Sequence, residues 1–600
     1  MRKCASSSRR KANKSFSKKR MQPIKIIAAS LLALAPLSAD AQGDDGKKFS
    51  LHGSIQSDVL FPEKDGKIGA TKDNWSLTNT YVELNLLNKY FTAGVRYEGL
   101  EHPLPGFDEG FKGRGIPYFY VAGHYKGFDL TLGDFYEQFG SGLILRTYEE
   151  RALGIDNSLR GGKLTMRPFK GVNIKLLGGQ QRFYWEHRNL DECNAWIYGG
   201  DVELSLDRWF KKMDETGTRL TLGFSGVSKH EKVTESIHVS RADAVTGQQV
   251  NYLLNLPENT AAFDARANLK KGNYSFLAEY AWKGQDPSSR NNYIYRHGQT
   301  LLLSGSYSKR GMSVLLQAKR TEDMDFMSRR SLDKGVTTAC HINHLPAFSM
   351  QQTYALASIY PYATQNALGE WAFQGEFAYT FKRKTPLGGK YGTTVKLNAS
   401  HIRAIDRNDL SSNPQDLAGT EGYTSKFFKV GSQIYYQDIN VQLEKKLTKK
   451  FKLNLMYANQ RYNKTVVEGE GGTVKCHVAV VEGKYQFNKK FTLRGEAQYL
   501  HTREDQKDWW YGLLELSILP NLMLTVSDQF NANVPDFSED AEEGKTNRVH
   551  YLMGSLTFTK KAHRIQVGYG MTRAGYNCSG GVCRFVPAQK GLQASYSFNF

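Results

Sequence analysis

The sequence predicts an all-β chain forming a single large antiparallel transmembrane β-barrel of roughly 24 strands, with short periplasmic turns and long extracellular loops. Three observations predict it. The chain opens on an export signal. Apolar and polar residues then alternate with a period of two in segment after segment. Tight turns rich in Lys, Asn and Gly alternate with long polar connections.

The signal comes first in the chain. Lys25 and the basic residues before it form a positive region, Ile26 to Ala35 an apolar stretch, and Ala39-Asp40-Ala41 a small-x-small cleavage site. Residues 1–41 therefore read as an N-terminal extension and secretory signal peptide. Residues 42–600 read as the mature barrel, starting at Gln42. Residues 1–20 add nothing the signal needs, which makes Met21 a candidate start beside Met1; the alternative is an unusually long basic region. The apolar stretch is too short to span a bilayer, and no later segment is long and apolar enough for a membrane helix. An exported chain without a helical anchor is either inserted as a barrel or a soluble periplasmic β-protein.

Composition agrees with strands. The chain has 33 Tyr, 32 Phe and 56 Gly in 600 residues; aromatic residues favour pleated, half-buried surfaces. At this length a soluble protein would divide into several domains, whereas a barrel grows by widening its wall. Net charge is +21, of which ten Lys/Arg and one Asp lie in residues 1–41, leaving +12 for the rest. Export argues against a nucleic-acid partner. The expected partners are the lipid bilayer and lipopolysaccharide, the outer-membrane assembly machinery, and a small anionic or glycan solute.

The last segment shows the alternation best. Leu592, Ala594, Tyr596, Phe598 and Phe600 share one face, and Gln593, Ser595, Ser597 and Asn599 the other. Tyr596, Phe598 and the terminal Phe600 resemble the insertion signal that assembly machinery reads on outer-membrane barrels. Ile439, Val441 and Leu443 repeat the pattern, as do Phe451 to Tyr457, Phe491 to Tyr499 and Ile565 to Met571. Period alone does not separate a barrel wall from a soluble sandwich; the turns help. Tight connections recur from Asn88-Lys89-Tyr90 to Lys560-Lys561, with looser ones near 211–217 and 384–392. Between them lie long polar stretches such as 62–76, 230–258, 321–368 and 404–427. About eleven such turns, with a first strand around Phe49 to Phe61 and the last strand, give roughly 24 strands, within 22 to 26. Trp509, Trp510, Tyr511, Tyr569, Tyr596 and Phe598 are candidates for the membrane-interface girdles.

One connection differs in composition. It runs from Gly133 through Gly140-Ser141-Gly142-Leu143-Ile144-Leu145-Arg146 to Glu149-Glu150-Arg151, then Asp156 to Gly162. An exposed loop gains nothing from Leu143, Ile144 and Leu145. The segment near 138–160 is therefore expected to fold into the lumen and narrow it. Arg146, Arg151 and Arg160 would meet anions, balanced by Glu149, Glu150 and Asp156. The alternative is a salt-bridged brace without solute contact. On Gly133 to Arg151 and Asp156 to Gly161 the chain resembles an uncharacterised-function family of bacteroidete-type outer-membrane β-barrel proteins. That resemblance implies location and fold and carries no activity.

Other constellations are weaker. Cys578 and Cys583, in Cys-Ser-Gly-Gly-Val-Cys, can close a loop disulfide in an oxidising compartment; Cys193, Cys340 and Cys476 are scattered. Cys340, His341 and His344 near Asp323 and Asp325 have ligand-like spacing, but loop histidines are common, and no metal is expected. Gly223-Phe224-Ser225-Gly226 lacks the spacing of a nucleophile elbow, and Gly140-Ser141-Gly142 lacks the Lys-Ser/Thr pair of a phosphate loop. Neither an enzyme nor a cofactor is expected. The function expected is a passive channel or transporter with a charged constriction in the bacterial outer membrane. The alternative is a non-enzymatic platform for secretion or surface partners, with 230–258 and 321–368 as contact surfaces. No plug domain precedes the first strand, which favours passive passage over energised uptake.

Overall fold

A computed structural model describes residues 49–600 except 186–194, 234–235, 243–245 and 332–339. The signal region, the cleavage site, both candidate starts and Cys193 lie outside the described residues.

Twenty-four antiparallel strands form one sheet. In chain order they are β1 (Ser50–Pro62), β2 (Leu77–Leu87), β3 (Phe91–Leu100), β4 (Gly113–Tyr125), β5 (Phe128–Phe135), β6 (Leu159–Met166), β7 (Val172–Gln181) and β8 (Trp196–Ser205). Then come β9 (Thr218–His230), β10 (Asn259–Lys271), β11 (Tyr274–Lys283), β12 (Gly298–Lys309), β13 (Met312–Glu322), β14 (Glu370–Phe381), β15 (Thr393–Asp409) and β16 (Tyr423–Lys446). The last eight are β17 (Phe451–Asn463), β18 (Thr473–Gln486), β19 (Phe491–Thr502), β20 (Trp509–Ile518), β21 (Leu522–Pro535), β22 (Thr546–Lys560), β23 (His563–Thr572) and β24 (Gln589–Asn599). Each pairs with its neighbours in sequence, and β24 returns to β1 from Ser54↔Asn599 to Pro62↔Gly591. Phe600 finishes the seam: Gly53 N–H donates to its carbonyl at 2.9 Å, and its own N–H donates to Gly53 O at 3.0 Å. The sheet has no free edge, which a bilayer demands because lipid tails satisfy no backbone group.

Short turns gather at one end of the barrel and long loops at the other. At the short-turn end, Lys126 and Gly127 take φ of 45° and 85°. Two successive positive φ values make the hairpin turn whose twist matches the flanking strands, and Gly pays little for it.

Alternation sorts each strand into an inner and an outer face. Leu132, Leu316, Leu514, Val526 and Leu552 are each more than half exposed on the outside, an apolar wall unsuited to water. Trp510 is outside at 55% exposure, whereas Trp509 beside it is 2% exposed and faces the lumen. The period of two therefore removes Trp509 and Tyr511 from the outer girdle. Tyr596 and Phe598 keep their outward places: the His563 ring stacks on Phe598 at 4.2 Å and bonds the Tyr596 hydroxyl at 3.0 Å. Toward the long-loop end, Tyr457 and Tyr499 give way to the pair His477↔His501 and then to Lys475 directly opposite Arg461.

The interior is filled. Residues 136–158 turn inward. Residues 323–331 and 340–369, in a stretch expected as a polar outer loop or contact surface, turn inward as well. The reason lies in Met324, Phe326, Ile342, Leu345, Phe348, Leu356 and Tyr360, all nearly or fully buried. The two loops share one core with the lumen-facing wall residues Ile402, Tyr436, Met456, Val478 and Leu500. Of the segment 230–258, a hairpin of His238–Ala242 and Gln249–Leu253 stays exposed.

Candidate functional site

The first inward loop leaves the wall at Gly133, whose φ is 107°. A Cβ there would stand 2.4 Å from Phe119 O, so the departure needs glycine. Phe139, Leu143, Ile144 and Leu145 are fully buried, each contributing about 1.5–3 kcal/mol that an exposed loop would forgo. The first half of the loop is tied to the wall through Ser141 and Glu137. Ser141 donates to Glu279 of β11, through its N–H at 2.9 Å and its hydroxyl at 2.5 Å. Glu137 pairs with Lys163 of β6 at 3.2 Å and Lys175 of β7 at 2.8 Å. Burial pushes the Glu137 pKa up, but the two ammonium groups outweigh it and hold the carboxyl below its ordinary range.

Residues 149–150 and 155–156 then pair as a small hairpin, and charges converge on it from the wall. Arg151 bonds Glu149 at 2.7 Å, Gln56 at 3.2 Å and Glu83, and stacks over Tyr81 at 4.4 Å. Asp156 accepts from Arg96 and Arg182, and from the Tyr136 hydroxyl at 2.9 Å. Glu98 pairs with Arg96 at 2.9 Å and with Arg182 at 2.8 Å, and Arg96 reaches Glu149 at 3.1 Å. Burial raises the Glu149 pKa against the pull of Arg96 and Arg151. Glu98, Glu149 and Asp156 offer oxygens within 4.8 Å of one another. Arg96 and Arg182 already donate to that trio, so guanidinium groups occupy the place of a cation.

The six predicted constriction residues separate. Arg151, Glu149 and Asp156 meet in this network. Glu150 accepts from Ala152 N–H on the hairpin turn at 3.3 Å. Arg146 lies between the two inward loops, stacked over Tyr148 at 4.6 Å. Arg160 is not in the lumen. It opposes Asp134 in the pairing that also sets Leu132 opposite Gly162, and Leu132 faces out. The guanidinium therefore sits on the outer wall, bonded to Asp134 at 2.8 and 3.0 Å and stacked over Phe119 at 4.7 Å. The partners that sequence reasoning missed, Glu83, Arg96, Glu98 and Arg182, come from the wall and its rim. Arg96 and Glu98 sit two apart in β3, which was a readable sign of a charged inner face.

The second loop locks onto the first. Arg146 N–H donates to Ile342 O at 2.8 Å and His344 N–H to Gly142 O at 3.0 Å. Asn343 donates to Leu143 O at 2.9 Å and Met324 O at 2.7 Å. The loop then crosses to the far wall, where Gln352 bonds Asp438 at 2.6 Å and Leu356 N–H bonds Gln498 at 2.8 Å. Burial pushes the Cys340 thiol up to about 12. Burial, with Arg146 adding to it, pushes His344 down to about 3, a neutral packed ring. His341 and Asp325 approach to 3.8 Å.

The loops leave a cavity of about 610 Å³ against the seam of the wall. Gln56, Asp58, Tyr81 and Gln593 line it from β1, β2 and β24, Arg151 from the inward hairpin, and Arg584 from the rim. Arg584 belongs to a hairpin (Gly575–Ser579 with Val582–Val586) closed by a Cys578–Cys583 disulfide. Its tip holds the second loop, Thr364 N–H donating to Gly581 O at 3.1 Å. Its flank meets the first loop, Asn577 donating to Ala152 O at 3.4 Å.

Solved structures are similar to the chain only distantly. The siderophore receptor PirA from Pseudomonas aeruginosa is 9% identical, with 92% of this chain and 80% of that chain covered and a TM-score of 0.37. A ferric enterobactin receptor from the same organism is 10% identical, with 93% and 82% covered and a TM-score of 0.40. The outer membrane transporter YddB from Escherichia coli is 10% identical, with 92% and 81% covered and a TM-score of 0.36. Likeness at this level supports no inference of activity. No curated protein matches the chain in sequence. The family described as "Family of unknown function (DUF6029)" matches residues 21–600, and the chain belongs to it.

Proposed function

We propose that the protein sits in the bacterial outer membrane, with its short turns in the periplasm, and passes small solutes along the wall seam. The membrane reading rests on a closed 24-stranded wall with an apolar outer face. The resemblance at Gly133 to Arg151 and Asp156 to Gly161 points to a bacteroidete-type membrane. Tyr596, Phe598 and Phe600 would serve the assembly machinery, and the outer wall would meet lipopolysaccharide.

One observation carries the passage reading. Two inward loops fill the lumen but leave a cavity of about 610 Å³, lined by both polar and apolar side chains, against β1, β2 and β22–β24. A barrel of this strand number would leak without such filling; a cavity beside it would confine a solute to a narrow path along the wall. Passage is passive in this reading. Planar-bilayer recording of the purified chain tests it: small, discrete currents support passage, and a sealed bilayer overturns it.

A second reading has its own observation. The hairpin of His238–Ala242 and Gln249–Leu253 exposes Val250, Tyr252 and Leu253, a surface suited to a surface-attached partner. A sealed barrel would favour that platform.

A further inference from the structure

The cavity has unpaired charges of both signs. Arg151 also lines it, but its guanidinium is taken up by Glu149 and Glu83. Arg584 is different. Its guanidinium lies 4.2 Å over the Phe107 ring, and its Nε and Nη1 are buried with no acceptor among the described residues. A guanidinium held over a ring, two of its nitrogens shielded from water and no carboxylate paired with it among the described residues, costs free energy that an anion reaching its open side recovers. Burial accordingly lowers its pKa to about 10.

Asp58 is the counterpart on β1. It accepts from Gln56 at 2.9 Å and from Ser595, both neutral, and forms no ion pair among the described residues. Around the same cavity the wall offers amides from Asn79, Gln566, Gln589 and Gln593, groups that both donate and accept. Neither a plain anion nor a neutral sugar answers this lining, because the anion leaves Asp58 unmet and the sugar leaves both charges unmet.

We infer that the cavity is a binding site for a zwitterionic solute of short-peptide size, its carboxylate toward Arg584 and its ammonium toward Asp58. The amide wall hydrogen-bonds the peptide groups between, and about 610 Å³ lies within the range of small-ligand sites. This deepens the passage reading by naming its solute class.

Calorimetry on the detergent-solubilised full chain tests it with four probes: triglycine, N-acetyl-triglycine, triglycinamide and glucose 6-phosphate. Triglycine should bind about tenfold more tightly than either blocked peptide, each of which forgoes one charge-assisted contact. Arg584→Gln should erase its advantage over triglycinamide alone, and Asp58→Asn its advantage over the acetylated peptide alone. Blocked peptides binding as well as triglycine, glucose 6-phosphate binding more tightly, or no binding at all would each overturn the inference. The wild-type probe series decides the matter even where a variant fails to fold. Currents without triglycine binding leave passage standing and remove the site; binding without currents does the reverse.

Discussion

Asn343→Ala strikes the joint between the inward loops. Asn343 is 5% exposed, and its amide donates to Leu143 O in one loop and Met324 O at the root of the other. Truncation strands two buried carbonyls. An unmet buried acceptor costs about 1–3 kcal/mol, so the pair costs about 2–4 kcal/mol, allowing for partial relaxation. The wall is untouched, because neither carbonyl belongs to a strand ladder. The cost should therefore appear as local opening: about 2 kcal/mol raises the open population roughly thirtyfold. Hydrogen exchange read by mass spectrometry should show faster exchange at 140–146 and 341–346 and unchanged protection in β17–β19. The same variant should show larger or noisier single-channel currents. Unchanged exchange in both loops would refute the claim that they brace each other inside the barrel.

Two further outcomes concern charge. Burial pushes Asp323 up to about 7, with Asp325 adding to it against Lys283 and Asn291. A raised carboxyl pKa means that the folded state holds its proton more tightly than the unfolded chain, near 3.9. That contribution is complete below about pH 4 and fades as pH rises to about 7, by up to about 4 kcal/mol. Urea midpoints should fall over this window in the native protein and stay flatter in Asp323→Asn; parallel curves would refute the assignment. On the outer wall Lys475 faces Arg461 directly across β17 and β18. Lys475→Gln should stabilise the protein by about 0.2–1 kcal/mol in a neutral detergent at low salt, and the gain should vanish near 1 M salt. A gain independent of salt would point away from charge repulsion.

The wall was legible and the interior only half so. Strand number follows from counting turns, since each Lys- or Asn-rich turn marks one hairpin and a period of two fixes each face. The same period places Trp510 outside and Trp509 inside, a distinction that composition alone misses. The first inward loop was readable because Leu143, Ile144 and Leu145 stand together where a surface loop would be polar. The second was not, because its apolar residues are dispersed: Met324, Phe326, Ile342, Leu345, Phe348 and Leu356 are interspersed with Asp, Asn, Gln and Ser, of which Ser328 and Gln352 bond the wall. Arg160 was misplaced because it follows an inward segment in sequence, while register with Asp134 returns it to the outer face. The pairing of Asp156 with Arg96 and Arg182 joins residues 60 and 26 positions apart; spacing gives no sign of it.

The central claim is that the lumen is packed with chain, and two thiols report on it directly. Cys476 of β18 faces inward at 1% exposure, and Cys340 in the second loop is fully buried. In a Cys193→Ser background, a water-soluble maleimide applied to the folded protein at neutral pH should leave both unlabelled, and both should react on unfolding. Rapid labelling of Cys476 in the folded barrel would mean an open, water-filled lumen and would contradict the account.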